Sequence, residues 1–167
     1  MAQLFVRYVD ALNYRVGRVA MYLFFIMGAI LLASTISRLV IGIPINWALE
    51  MSQFLLSAYY LLGGAYALQI DQHVRMDLFY SRLSARRRAV TDAITILFVI
   101  FYLAVLFGGG LSSTNYAIVY GQKNYTAWAP PLWPIKVVMT TGIFLMLLQL
   151  ISTFIKDVAI ARGKPIA

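Results

Sequence analysis

The side chains that could support chemistry are few, and the only histidine lies beside two charged residues. His73, Arg75 and Asp77 alternate in a short polar segment between two long apolar runs. Alternate residues of an extended segment point the same way, so these three could form a metal site, a proton relay or a salt-bridged cluster. One histidine without any cysteine is a poor ligand set for a metal. We therefore expect a cluster of ion pairs and hydrogen bonds with a structural role.

The sequence offers little support for catalysis. The chain has no cysteine, which excludes disulfides, zinc–thiolate sites, iron–sulfur clusters and cysteine nucleophiles. No nucleophile, base and orienting group occur together, and the carboxylates are not clustered. A haem subunit would usually need two axial ligands at membrane depth, whereas His73 lies outside the apolar runs. We predict a protein that is not an enzyme and that binds no cofactor or metal.

Long uncharged runs make up most of the chain around these residues. The sequence is 62% hydrophobic and 12% charged, against about 45–50% and 25% in soluble proteins. Each of four runs reaches the roughly 17–25 residues that a helix needs to cross a hydrocarbon core about 30 Å thick. We predict an all-α integral membrane protein with a single domain. Its four transmembrane helices are expected at about 19–39, 47–71, 85–120 and 135–156.

The first 18 residues have an amphipathic pattern. Leu4, Tyr8 and Leu12 recur at helical spacing, and Arg7 and Asp10 fall on other faces. The segment is either a separate helix in the membrane interface or an extension of the first transmembrane helix. The pattern alone leaves both possibilities open.

Glycine and proline mark the expected ends of helices. Gly42 and Pro44 should end helix 1, and Asn46 is a candidate N-cap for helix 2. Helix 3 contains Gly108 to Gly110, and its uncharged part exceeds the thickness of a bilayer. We expect a tilted helix to about Gly110, with a further turn or two to Tyr120, rather than an ion site in an unwound helix.

Basic residues predict the orientation. Of 14 Lys and Arg residues, three precede helix 1, five lie between helices 2 and 3, and three follow helix 4. The positive-inside rule places both termini in the cytoplasm. This distribution explains the net charge of +8 without a nucleic-acid partner. The predicted anchors in the phospholipid membrane are Arg86, Arg87 and Arg88 on the inner side and Trp47, Trp128 and Trp133 on the outer side.

Polar and small residues share one side of helix 2. They are Glu50, Ser57, Gly64 and Asp71, which recur every seven residues, together with the neighbouring Gly63 and Ala67. In lipid, small residues let helices approach closely, and polar residues are kept off the acyl chains. We predict that this side is a partner interface. Glu50 could instead only mark the helix start, where a carboxylate meets the positive end of the helix dipole.

The helix centres argue against a self-sufficient transporter. Such transporters usually show internal repeats, charges at the membrane midplane and broken helices, whereas the middles of these four helices carry no charge. By elimination, the chain is predicted to be an accessory membrane subunit that serves a larger partner.

Four motifs in order suggest which assembly that is. They are W-A-L-E at 47–50, L-G-G-A-Y-A-L at 62–68, H-V-R-M-D at 73–77 and P-P-L-W-P-I-K at 130–136. Their order and spacing resemble the small membrane subunit, the Q or DctQ-type subunit, of tripartite ATP-independent periplasmic (TRAP) transporters. The resemblance covers nearly the whole chain.

The resemblance implies a multi-pass protein of the bacterial inner membrane that binds a large multi-helix M permease subunit and widens its stationary scaffold. A periplasmic substrate-binding protein would deliver a carboxylate-bearing solute, and the large subunit would use an ion gradient, usually sodium. On this hypothesis the predicted side of helix 2 contacts M or another helix of this chain, and His73, Arg75 and Asp77 fix its cytoplasmic end. The alternative is a self-associating membrane scaffold or assembly protein without a transport role.

Overall fold

The described part of the protein consists mainly of four long helices. The structure, a computed structural model, describes residues 2–70 and 85–161. In these ranges the helices are α1 Ala2–Ile36, α2 Ala48–Gln69, α3 Ala85–Val119 and α4 Trp133–Ala161. One isolated antiparallel bridge, between Lys123 and Pro131, is the only strand-like pairing in the described part. The prediction of an all-α fold is confirmed.

The first helix is continuous from Ala2, so residues 2–18 extend it rather than forming a separate helix. The apolar stripe of residues 2–18 faces away from the bundle. Leu4, Tyr8 and Leu12 are exposed, whereas the inward residues are Val6, Val9, Asn13, Gly17 and Ala20. In lipid, large apolar side chains gain little by facing the bundle, and small or polar residues take that side.

The turn after α1 differs in detail from the expected one. A π-helical turn, Ser37–Ile41, continues the helix, and Gly42 ends it with a φ of 75°, a left-handed conformation that favours glycine. Asn46 is not the N-cap of α2. Trp47 is the N-cap, and its side chain makes no capping hydrogen bond. The amide of Ala48 bonds to the carbonyl of Ile45 at 3.2 Å, and the helix begins one residue later than an Asn46 cap would place it.

The glycine triplet does not break α3, which runs unbroken through residues 108–110 to Val119. Glycine has the backbone N–H and C=O groups that helical hydrogen bonds need, so each glycine destabilises a helix by only about 1 kcal/mol relative to alanine. The helix ends before Gly121, which has a φ of 57°.

Side-chain pairs fix an up-down-up-down arrangement. The rings of Phe24 and Tyr59 lie 5.9 Å apart, and those of Tyr14 and Tyr66 lie 5.7 Å apart, which makes α1 and α2 antiparallel. The rings of Phe107 and Phe144 lie 5.5 Å apart between the antiparallel helices α3 and α4. Residues 42–47 and 120–132 therefore lie at one end of the bundle, the loop end. The start of α1 and the end of α4 lie at the other, the terminal end.

The fourth helix is the centre of the bundle, because it contacts α1, α2 and α3. In the described residues α3 has extensive contact with α4 but little or none with α1 and α2. Leu103, Ile143 and Leu150 form the buried core along the α3–α4 contact. Because α3 packs on a single neighbour, most of its surface is open. Phe98, Phe101 and Val105 are among its exposed residues.

Glycines set the closest helix crossings. A Cβ atom at Gly142 of α4 would lie 2.8 Å from the carbonyl carbon of Leu61 in α2. A Cβ at Gly17 of α1 would meet the side chain of Tyr66 in α2. Small residues that let backbones approach closely are typical of helix contacts in membranes.

Three segments in the described ranges are long and apolar enough to cross a membrane: Gln3–Ile41, Ile94–Val119 and Trp133–Ile160. The membrane character predicted from the sequence is confirmed for these three. The second helix is not among them, because Glu50, Gln53 and several tyrosines reduce its apolar character. A fourth span and the cytoplasmic placement of the termini stay predictions.

Replacing Gly142 by alanine should separate α2 and α4. The added Cβ would press on the backbone of Leu61, which has no flexible end to move aside. We expect Gly142→Ala to lower the free energy of unfolding by about 1–3 kcal/mol, measured by thermal unfolding in mild detergent. Gly28→Ala is the control, because a Cβ there meets nothing within 4 Å. Equal melting temperatures for both variants would contradict the assignment.

Candidate functional site: a polar junction and an open face of the second helix

Five polar side chains join α1 to α4 at the terminal end, and we call them the polar junction: Asp10, Asn13, Gln149, Ser152 and Lys156. Two come from α1 at a spacing of three residues. Three come from α4 at spacings of three and four. Residues three or four apart lie on the same side of a helix, so each helix presents one polar strip to the other.

The carboxylate of Asp10 is the common acceptor of the junction. Lys156 Nζ lies 2.5 Å from Asp10 Oδ2. Gln149 Nε2 and Ser152 Oγ each donate to Asp10 Oδ1 at 3.0 Å. Asn13 Nδ2 extends the network by donating to Gln149 Oε1 at 2.7 Å and more weakly to the carbonyl of Leu145 at 3.4 Å.

Burial shows what this arrangement can do. Asn13, Gln149 and Ser152 are fully buried, and Lys156 and Asp10 keep 31% and 21% of their side-chain surface exposed. Buried polar groups stabilise a structure only when their hydrogen bonds are satisfied, and here the donors and acceptors satisfy one another. Asn13 Oδ1 is the exception, with no partner in the described chain. We therefore assign the junction a structural role, the joining of α1 to α4, rather than the binding of a solute.

Sequence reasoning did not find this junction. It placed Asp10 on a polar face of an amphipathic segment, and it treated Lys156 only as part of a basic tail. The available signal was Gln149, an amide inside the uncharged run of helix 4. Polar residues within membrane helices almost always face the bundle interior, but the sequence cannot say which helix supplies their partners.

The residues predicted to form one interface on α2 point in two directions. A Cβ at Gly64 would lie 3.0 Å from the sulfur of Met146, so Gly64 faces α4 of the same chain. A Cβ at Gly63 would meet nothing within 4 Å. Adjacent helical residues are about 100° apart, so the two glycines face different directions. Ser57 and Ala67 are half-buried, and Ser57 donates to the carbonyl of Gln53 at 2.9 Å.

Glu50 is 7% exposed at the start of α2. Its Oε2 atom is buried and has no hydrogen-bond partner among the described residues. The carboxylate lies in the first turn, where the positive end of the helix dipole favours a negative charge. Both roles suggested by the sequence, a contact with a partner and a contact with the helix dipole, stay predictions.

Four exposed residues and one half-buried glycine run along the other side of α2. We call it the open face of α2: Leu49, Gln53, Leu56, Tyr60 and Gly63, spaced by three or four residues. Leu49 and Tyr60 are 64% and 66% exposed, and Gln53 is exposed as well. An amide without partners is costly in hydrocarbon, so this face is poorly suited to lipid.

The remaining predicted residues divide between the described and undescribed parts. Trp47, Trp128 and Trp133 all lie at the loop end and are partly exposed, so their role as anchors of one interface stays a prediction. Asp71, His73, Arg75 and Asp77 lie outside the described residues, as do the side chains of Arg86, Arg87 and Arg88. Within the ranges that the structure covers, no group of three acidic or histidine residues could hold a metal ion.

A comparison with protein-family models matches residues 26–159 to the DctQ component of tripartite ATP-independent periplasmic transporters. The match covers about four fifths of the chain and reaches from the second half of α1 to the end of α4. It begins after Asp10 and Asn13, so the α1 half of the polar junction lies outside it. No curated protein and no solved structure matches the chain significantly.

Removing either member of the Asp10–Lys156 pair should leave the other charge partly buried without its partner. We expect Asp10→Ala and Lys156→Ala to destabilise the chain non-additively, with a coupling energy of about 0.5–3 kcal/mol. Thermal unfolding of both single variants and the double variant in detergent measures this coupling. Asp10→Ala combined with Arg38→Ala, at the opposite end of the bundle, should be additive. Additive effects in the Asp10–Lys156 cycle would show that the two residues act separately.

Proposed function

The chain belongs to the DctQ family, the small component of tripartite ATP-independent periplasmic transporters, and we propose that it is a non-catalytic subunit that packs against the large permease subunit. In this proposal the chain lies in the bacterial inner membrane with both termini in the cytoplasm. It widens the scaffold on which the large subunit moves a carboxylate-bearing solute. A periplasmic binding protein delivers the solute, and the large subunit uses an ion gradient, usually sodium.

The observation that best supports a protein partner is the open face of α2. The other three helices have segments apolar enough for lipid, and their exposed residues are largely aromatic and aliphatic, such as Phe25, Phe101 and Ile151. The second helix is not among these apolar segments, and it exposes the amide of Gln53 and the ring of Tyr60. A partner helix would remove both from lipid and could satisfy their hydrogen bonds.

Gly63 adds a geometric reason for the same face. A side chain at this position would point into open space, so the packing of this chain does not require a glycine there. A small residue is useful if another backbone approaches from outside, as in the small-x-x-x-small contacts of membrane helices. The half-buried Ala67, four residues later, extends the same small surface.

The polar groups in the described part of the chain support a role in assembly rather than in transport. Those of the polar junction bond to one another, and the central residues of the helices carry no charge. Ion and solute paths through membranes usually depend on charged or polar groups that face a cavity. The proposal therefore assigns solute and ion binding to the large subunit.

A second candidate function is a self-associating scaffold, because the open face of α2 could also accept a second copy of the chain. The two proposals differ in what co-purifies. A TRAP subunit should bring a large multi-helix permease in near-equal amount, whereas a scaffold should appear as a homo-oligomer without it.

Gly63→Leu tests the proposed interface. We expect this variant to recover about tenfold less of the large permease when the chain is affinity-purified from its native membrane, because the added side chain blocks close approach. Gly28→Leu is the matched control, since Gly28 lies in an apolar helix and a Cβ there also meets nothing within 4 Å. Its recovery should equal that of the unmodified chain.

Gly64 is not suitable for this experiment, because a leucine there would press on Met146 and disturb the chain itself. Equal recovery of the permease with Gly63→Leu and Gly28→Leu would remove the open face of α2 from the proposed interface. A homo-oligomer without any permease in all samples would favour the scaffold function.

A further inference from the structure

A groove opens between α3 and α4 on the outside of the bundle. Its volume is about 420 Å³, within the range of about 300–1,000 Å³ that small-molecule sites occupy. The walls are mainly apolar, and the residues that shape them include Tyr102, Leu106, Gly109, Thr114, Lys136 and Ile143. Both helices have segments that are apolar enough to cross a membrane, so the groove faces the hydrocarbon.

The groove exists because several of the α3 residues that line it are small. Gly109 lies in its floor, and a Cβ built there would meet nothing within 4 Å. Thr114 and Thr140 lie in the wall, with their hydroxyl oxygens 2.9 Å apart. The carbonyl of Lys136 lies within hydrogen-bond distance of both hydroxyls, at 3.2 and 2.9 Å, so the two hydroxyl hydrogens are shared among these three oxygens. These two hydroxyl groups of the wall therefore already form hydrogen bonds between α3 and α4.

A cation lies at the loop end of the groove. Lys136 is half-buried, and its Nζ donates to Gln122 Oε1 at 2.8 Å and, at a long 3.4 Å, to the carbonyl of Ser113. Both acceptors are neutral. No described carboxylate forms a salt bridge with Lys136, whereas Lys156 has Asp10. A partly buried ammonium group with neutral partners is a site for an anion.

The dimensions agree with one lipid chain. The α3 side of the groove runs from Tyr102 to Thr114, which is about 18 Å at 1.5 Å per residue. One leaflet of the hydrocarbon core is about 15 Å thick. An acyl chain that fills the groove would therefore place its headgroup near Lys136.

We propose that the α3–α4 groove binds a phospholipid with an anionic headgroup. One acyl chain lies along Gly109 and Leu106, and the lipid phosphate accepts hydrogen bonds from Lys136. This site does not depend on the proposed contact with the large permease through α2, because only residues of α3 and α4 line the groove.

Retention of phosphatidylglycerol by the purified full-length chain tests this site. Native mass spectrometry from mild detergent counts bound lipid during titration with phosphatidylglycerol or with phosphatidylcholine. We expect one retained phosphatidylglycerol per unmodified chain and about tenfold weaker retention of phosphatidylcholine. Glycerol 3-phosphate should not compete, because it lacks the acyl chain.

Two variants locate the site, and a third is the control. Gly109→Leu fills the groove, and Lys136→Gln removes the cation, so each should weaken phosphatidylglycerol retention by about tenfold. Gly108→Leu should leave it unchanged, because Gly108 also has open space around it but does not line the groove. Retention unchanged in both groove variants, or weakened equally in the Gly108 control, would overturn the proposal. Loss of a co-purified protein with Gly109→Leu, while lipid retention stays intact, would identify the groove as a protein contact instead.

Discussion

At the crossing of α2 and α4, the backbones come so close that Gly142 has no room for a side chain, since a Cβ would lie 2.8 Å from the carbonyl carbon of Leu61. The other helices are placed by this crossing. The first helix packs on α2 through Gly17 and reaches α4 through the polar junction, and α3 packs on α4 alone. In lipid there is no hydrophobic force to hold apolar helices together. Close backbone approach and buried hydrogen bonds must therefore supply the association.

The two ends of the bundle use different interactions for this purpose. At the terminal end, an ion pair supported by two amides and a hydroxyl joins α1 to α4. At the loop end, two threonine hydroxyls and the carbonyl of Lys136 join α3 to α4. The charged pair is partly exposed and lies near the outer ends of α1 and α4, and the neutral contacts lie within the apolar spans of α3 and α4. This distribution agrees with the high cost of an isolated charge in hydrocarbon.

The exposed faces of the helices are of two kinds, and this difference supports the proposed role as a subunit of a larger complex. Those of α1 and α3 lie on segments apolar enough to cross a membrane and expose mainly aromatic and aliphatic side chains, which suit acyl chains. The open face of α2 belongs to a helix that is not among these segments and combines the exposed amide of Gln53 with the half-buried Gly63, which suits another protein. A family whose members work as one component of a three-part transporter accounts for such a face better than an isolated membrane protein does.

The sequence by itself determined the class of the protein, because a long uncharged run has few stable alternatives to a membrane helix. It also indicated the family, through motifs that keep their order along the chain, and the end of helix 1, where Gly42 adopts a conformation that favours glycine. Helical periodicity predicted that polar and small residues share one side of helix 2, but it could not say what each of them contacts. Only the tertiary structure decided that Gly64 faces Met146 whereas Gly63 faces outward. It also decided that Asp10 meets Lys156, a residue 146 positions away. Such pairings depend on how the helices rotate and cross, and a local pattern in one helix carries no information about its neighbour.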